Sequence, residues 1–203
     1  MTRQARSSRR DFLRLSVGIP AAVLVAHSEV RAQPQPLRPT PACADDTPPT
    51  PRQTEGPFFR PDSPRRASLL EPGISGTKIV LAGVVLTTDC RPVPRALLDV
   101  WHADDHGDYD NAGFRLRGHL FTDDQGRFRL ESIVPGLYPG RTRHFHVKVQ
   151  APGQPVLTTQ LYFPQEPANR GDRIFNPALV MKVRDESGGK LAHFDFVLKK
   201  ERS

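Results

Sequence analysis

The sequence predicts an all-β fold: a two-sheet β-sandwich, antiparallel or mixed, with long functional loops. Three observations carry that expectation. Apolar residues make up 37% of 203, with 21 Pro and 15 Gly, a mixture that favours short strands and turns over a helical bundle. Short apolar or alternating runs follow one another from Lys78 onward, separated by turn residues. No amphipathic helical pattern of ten or more residues, no internal repeat and no crossover-helix pattern follows residue 33.

Residues 1–32 read as an address label. Ser8-Arg9-Arg10-Asp11-Phe12-Leu13-Arg14 is a basic region, and the mostly apolar run Leu15 to Ala26 follows it. Val30-Arg31-Ala32 ends with a small residue, a cleavage site before Gln33. The run is shorter than the roughly 20 residues a bilayer span needs. Paired arginines with Phe-Leu behind them resemble a twin-arginine (Tat) signal; the alternative is an ordinary secretory signal. Either way the chain is expected outside the cytoplasm, in the periplasm or extracellular space, with the Tat machinery as export partner.

Residues 33–53 hold seven prolines and read as an extended lead-in, because proline fixes φ and removes a donor. Such a segment either wraps the domain or is a linker without a role. Cys43 and Cys90 are the only cysteines. In an exported chain they are expected to pair, which contributes roughly 4 kcal/mol in the chain-entropy model. The alternative is two free thiols.

The formal charge of +7 does not indicate a polyanionic partner. Six arginines lie in residues 1–32 against Asp11 and Glu29, and the remaining 23 basic residues are interspersed with 20 acidic ones. No nucleic-acid or membrane-surface partner is read from charge.

Residues 54–203 are the expected domain. Candidate strands are 78–86, 96–103, 116–122, 127–133, 145–151, 157–163, 178–183 and 192–199, rich in Val, Leu and Phe. Asp123 to Gly126 and Glu186 to Gly189 read as hairpin turns. In the last run His193, Asp195 and Val197 alternate with Phe194, Phe196 and Leu198. Loops 104–115 and 135–143 carry Tyr109 and Tyr138, and loops on a rigid sandwich are where binding groups usually lie.

His144 and His146 bracket Phe145 at a strand start. Side chains at i and i+2 share a face, with Cα atoms roughly 6.6 Å apart, so both imidazoles can reach one metal. Phe145 and Val147 then face the core as a rigid base. Tyr138 lies across a Pro-Gly turn that folds its phenol back, and Tyr109 must arrive by tertiary contact. Phenolate is a hard, anionic donor that suits Fe(III) better than Zn(II) or Cu(I), and a metal beside a phenol lowers its pKa. Taken alone, a His-x-His strand pair is more often a satisfied polar face, and a loop Tyr more often a packing residue. His102, His106, His119 and His193 read as non-ligands, with His102, beside Trp101, the one expected near a pocket.

These residues resemble the intradiol ring-cleavage dioxygenases, the protocatechuate 3,4-dioxygenase and catechol 1,2-dioxygenase superfamily. The resemblance spans Thr54-Glu-Gly-Pro-Phe-Phe59, Asp99-Val-Trp-His-Ala103, Gly107-Asp-Tyr109, Thr122 to Phe128, Pro135 to His146, and Leu157 to Pro164. It is nearest to an exported, single-domain branch. It implies one non-haem Fe(III) per chain held by Tyr109, Tyr138, His144 and His146, with Tyr138 and His146 axial. It implies O₂ as co-substrate and cleavage of a catechol between its hydroxyl-bearing carbons to a cis,cis-muconate-type diacid. Tyr138 would take a catechol proton, Arg141 would stabilise charge developing on the ring, and Gln160 would stand near both. Trp101 and Phe114, with Arg141 and Gln160, would shape the substrate pocket. Two positions depart from the pattern: Arg143 stands where many relatives have proline, and Ala103 where related exported members often have cysteine.

Two competing readings are an extradiol-type Fe(II) enzyme, with two His and a carboxylate from Asp104, Asp105 or Asp108, and a non-catalytic secreted β-sandwich. Which catechol is cleaved, and whether the chain forms a homo-oligomer, is left open by the sequence.

Overall fold

In a computed structural model, residues 47–199 can be described. The expected signal 1–32, the lead-in before Thr47 and Cys43 lie outside them. Among the described residues nine strands form: β1 (Lys78–Thr87), β2 (Leu97–Trp101), β3 (Arg117–Phe121), β4 (Arg127–Ile133), β5 (His144–Gln150), β6 (Leu157–Tyr162), β7 (Lys182–Glu186), β8 (Gly189–His193) and β9 (Phe196–Leu198). They make two sheets, β4-β1-β8-β7 with β9 also on β1, and β3-β2-β5-β6. β1 pairs in parallel with β8 and β9 and antiparallel with β4, so the sandwich is mixed.

Alternation decides which face goes inward. Leu98 and Val100 of β2, Phe145, Val147 and Val149 of β5 and Leu161 of β6 pack against Leu81, Val85, Phe128 and Leu130 of the first sheet in one core. Outward from the second sheet point Trp101, His144, His146 and Gln160, and these too are buried. They are covered by residues 53–66. Within that cover, Arg66 N donates to His119 O (2.9 Å) and His119 N to Pro64 O (3.0 Å); further on, Leu69 N donates to Glu131 O (2.8 Å). This stretch pairs with the free edges of β3 and β4, groups that would otherwise be exposed sheet edge.

The end of the lead-in is bound to the sandwich. Thr50 N donates to Val197 O (2.9 Å), Gln53 N donates to Thr158 O (2.9 Å), and Thr159 Oγ1 donates to Pro51 O (2.7 Å). For residues 47–53, wrapping is therefore the observed outcome. Cys90 is disulfide-bonded; Cys43, its expected partner, is not among the described residues.

Two strand expectations need correction. Residues 178–183 are not one strand. Asn176 Oδ1 accepts from Ala178 N and starts a 3-10 turn at Pro177–Leu179. The strand begins only at Lys182 and runs into the Glu186–Gly189 hairpin. Residues 192–199 are two strands, because Asp195 Oδ1 takes the Val84 N–H (2.8 Å) that a backbone carbonyl would otherwise hold.

Candidate metal centre

Strand pairing within the second sheet aligns one row of side chains across all four of its strands. Trp101 is registered with Arg117 on one side and His146 on the other, and His146 with Gln160. One step along, His144 is registered with Tyr162. Trp101 stacks flat on His146, ring centroids 4.9 Å apart and planes 8° apart. Phe145 and Val147, both 0% exposed, anchor the histidine strand in the core.

His144 Nδ1 donates to Thr142 O at 2.6 Å. That bond fixes the tautomer and leaves the Nε2 lone pair outward. The Nε2 atoms of His144 and His146 lie 3.0 Å apart. Burial holds both imidazoles neutral: His144 is lowered to about 4 and His146 well below its ordinary value. Neutral imidazole is the form that binds metal, and His144 presents an unprotonated Nε2 toward His146.

Tyr109 Oη lies 3.4 Å from His144 Nε2. Asp110 holds its loop, accepting from the backbone N–H groups of Gly113 (2.7 Å), Ala112 and Arg115 (both 2.9 Å). Arg117 donates from Nε and Nη2 to Asp110 O, at 3.1 and 2.7 Å, and its guanidinium carbon lies 6.0 Å from the Tyr109 ring centroid. Phe58 stacks on the other ring at 4.3 Å and 13°. Burial raises the Tyr109 phenol above its ordinary pKa, so without a cation it stays protonated.

Tyr138 meets Tyr109 edge-on, centroids 6.0 Å apart, because two loops touch backbone to backbone. Gly136 N donates to Asp104 O at 2.6 Å. A Cβ on Gly107 would overlap Leu137 O, and one on Gly136 would lie 2.6 Å from Asp105 O. Only glycine at both positions permits this approach. Tyr138 lines a surface cleft of about 430 Å³ with Leu137, Pro139, Arg141, Ala168 and Asp172.

Arg141 and Gln160 are joined beside this cluster. Arg141 Nη2 donates to Gln160 Oε1 at 2.5 Å, Tyr162 Oη donates to the same oxygen at 3.0 Å, and Gln160 Nε2 donates to Thr54 O at 2.9 Å. Trp101 is 1% exposed, so it backs His146 and does not line open space, contrary to its expected pocket role. Phe114 is half-buried and makes its ring contact with Arg60, 5.2 Å away. His102 points the other way from Trp101, into the sandwich, and is buried there with Nε2 2.6 Å from Ser132 Oγ.

Tyr109, His144 and His146 fit one hard cation, and Tyr138 adjoins them through its ring contact with Tyr109. Two ligands at right angles on bonds of about 2.1 Å stand about 3.0 Å apart, close to the observed His–His and Tyr–His separations. Among the described residues no group of three or more His, Cys, Asp and Glu side chains is arranged to hold a metal. The two-histidine, one-carboxylate geometry is thus absent there: Asp104 Oδ1 accepts from His106 N and Asp108 N, and Asp105 from Ser75 Oγ.

Sequence reasoning gave no role to Phe58, Arg117, Tyr162 or Asp172. Arg117 carries the one usable signal, an arginine inside the expected strand 116–122 between Leu116 and Leu120.

With this geometry, likeness to known proteins has a definite meaning. The family described as Dioxygenase matches residues 54–200. The chain belongs to the intradiol ring-cleavage dioxygenase family. It is 29% identical over 175 residues to a catechol 1,2-dioxygenase of Candida albicans, covering 72% of this chain and 55% of that protein. It is 31% identical over 147 residues to a hydroxyquinol 1,2-dioxygenase of a Rhizobium strain, covering 59% and 50%. The chain spans about half the length of these relatives. Among solved structures, the dioxygenase domain of a dioxygenase–carbohydrate-binding fusion from Streptomyces sp. SirexAA-E is 56% identical. It superposes with a TM-score of 0.73, covering 75% of this chain and 99% of that one. A hydroxyquinol 1,2-dioxygenase from Pseudomonas putida DLL-E4 superposes at 0.68 with 28% identity, covering 76% and 68%.

Proposed function

We propose that this intradiol-family chain is a non-haem Fe(III) enzyme that cleaves a catechol with O₂ between its two hydroxyl-bearing carbons, giving a muconate-type diacid. The observation that supports it most is the meeting of three donors: Tyr109 Oη lies 3.4 Å from His144 Nε2, which lies 3.0 Å from His146 Nε2. Tyr109, Tyr138, His144 and His146 would hold the iron. When bound, ferric ion acts as a Lewis acid that makes a catechol dianion accessible and the ring reactive toward O₂.

The protein's own groups account for the rest. Thr142 O holds the His144 proton on Nδ1 and keeps Nε2 free. The Trp101 stack fixes the plane of His146. Tyr138, at the cleft, would be a phenolate while it holds the cation and would take a proton from a catechol hydroxyl, becoming a neutral phenol. Arg141, also lining the cleft, stabilises negative charge developing on the ring. Residues 53–66 over the sheet keep bulk water from the buried imidazoles. Catechol, protocatechuate, hydroxyquinol and larger catechols are the substrate candidates.

Export belongs to the same proposal. Residues 1–32 carry the twin-arginine pattern, and a bonded Cys90 suits an oxidising compartment. Sequencing the N-terminus of protein recovered from periplasm or medium tests it: Gln33 is expected first.

Colour and turnover test the chemistry. Purified protein with iron should be red-brown, its band should move on adding catechol, and oxygen uptake should yield a diacid by mass. Tyr138→Phe should alter the band and slow turnover; an unchanged spectrum and rate remove its role. A colourless protein yielding a yellow semialdehyde would favour the extradiol reading.

A further inference from the structure

The structure holds a carboxylate beside the candidate centre that neither the sequence reading nor the metal set uses. Asp172 follows the 3-10 turn Pro167–Arg170, and its side chain is 1% exposed. Oδ2 accepts from Arg141 Nε (2.9 Å) and Thr142 N (3.0 Å), and Oδ1 from Ile174 N (3.0 Å). Burial alone raises an acid, but here the Thr142 and Ile174 N–H groups and Arg141 outweigh it and hold the carboxyl below its ordinary pKa. Asp172 is therefore a fixed anion.

Its position on Arg141 is specific. Nε goes to Asp172 and Nη2 to Gln160, so both anchors lie on the same edge of the guanidinium. An Arg fork has five N–H donors. The Tyr162 hydroxyl stands beside the guanidinium as well, while Nη1 donates to no described residue. Two anchors on one edge fix the plane of a side chain that otherwise has several free torsions. The anchors are themselves tied down. Gln160 is held by Tyr162 and Thr54. The turn before Asp172 is held by Thr142 Oγ1, which donates to Asn169 Oδ1 at 2.7 Å, and by Asn169 Nδ2, which donates to Phe163 O at 3.0 Å.

We propose that Asp172 is a positioning residue: with Gln160 it clamps the Arg141 guanidinium along its Nε–Nη2 edge, so that the Nη1 donors face the ring of a bound catechol. This rests on the function proposed above. Asp172 touches no reacting atom; it acts by removing the freedom of a group that must already point correctly as charge develops. It also offsets the charge of Arg141, so the guanidinium sits beside two neutral imidazoles without an uncompensated buried cation.

Two measurements on the full chain test it. In metal-free protein, the Arg141 Nε–H should give a slowly exchanging NMR signal that disappears in Asp172→Ala. With iron, Asp172→Ala should lower kcat on catechol about tenfold or more, with KM and bound iron within about twofold. Asp172→Asn, which keeps the shape, should lose less and guards against misfolding. In an Arg141→Ala background the same change at position 172 should cost less than about twofold. Equal losses in both backgrounds, or an Nε–H signal indifferent to position 172, overturns the clamp. Wild-type protein inert toward every catechol, with the Nε–H signal still dependent on Asp172, overturns the functional reading and leaves the clamp supported.

Discussion

Acid should unfold this protein through His102. Its imidazole is 1% exposed, with Nδ1 donating to Ala103 O at 2.7 Å and Nε2 accepting from Ser132 Oγ at 2.6 Å. Burial lowers its pKa from 6.5 to about 4. The Ser132 hydroxyl can turn round to accept, so desolvation of the imidazolium is the main cost, not a lost hydrogen bond. The unfolded chain binds this proton as pH falls through 6.5 and the folded chain resists it until about 4. Stability is thus fully present above 6.5 and falls between 6.5 and 4. Linkage gives about 2 kcal/mol of loss from His102 between pH 7.5 and pH 5. With a urea slope of about 1–3 kcal/mol/M, that is a midpoint shift of about 1 M. Urea titrations of wild type and His102→Gln at both pH values give the comparison. His144 and His146 are buried too and add their own slope, so the readout is the difference between the two proteins. The variant should lose about 1 M less in midpoint on acidification than wild type. Identical shifts in both would refute His102 as the buried neutral group responsible.

Two further outcomes are expected. Gly136→Ala would push its Cβ to 2.6 Å from Asp105 O and part the loops of Tyr109 and Tyr138. Iron content and the visible band should fall while the far-UV spectrum of the sandwich is kept; a variant with full iron and an unmoved band removes the two-loop contact as the cause of the tyrosine pairing. Phe145→Ala removes a 0%-exposed ring beneath both histidines and should cost about 3–5 kcal/mol, seen as a melting temperature about 10 °C lower. Its loss of iron should track that destabilisation.

What could be read from the sequence and what could not divides along a physical line. The two hairpin turns and most strands announce themselves locally, through Val, Leu and Phe alternation bounded by Asp and Gly. β7 did not, because it lies at the sheet edge with mostly exposed Lys, Arg, Asp and Glu and no apolar face to alternate. The break in residues 192–199 turns on a single side chain, Asp195, standing in for a strand carbonyl at the N–H of Val84, 111 positions away. At the site, His144 and His146 are legible because i, i+2 on a strand is a local relation. Their meeting with Tyr109 is a tertiary relation, and composition is silent on it; family resemblance supplied it. Asp172 and Arg117 act through backbone groups of other segments, which leave no trace in residue spacing.

The row Arg117–Trp101–His146–Gln160 explains why the site needs more than the sandwich. It lies on the outer face of a sheet, where a sandwich ordinarily meets water. Burying polar groups is costly unless they are paired, and the covering segment pairs the two ends of the row, Gln160 and Arg117, while Trp101 Nε1 and His146 Nδ1 have no hydrogen-bond partner among the described residues. Thr54 O accepts from Gln160 Nε2, Phe58 O accepts from Arg117 Nη1, and Phe59 closes on Trp101 at 4.9 Å. Lys148, the next outward residue of β5, pairs with Glu55 and sits 3.6 Å from the Phe59 centroid. The same stretch that lacks any strand or helix pattern in the sequence is therefore what turns a solvated sheet face into a dry one. The core sets where the histidines stand; the cover sets the polarity around them. The family's chemistry needs both, since imidazoles kept neutral by burial and a guanidinium kept aimed by its neighbours are properties of a roofed face and not of an open one.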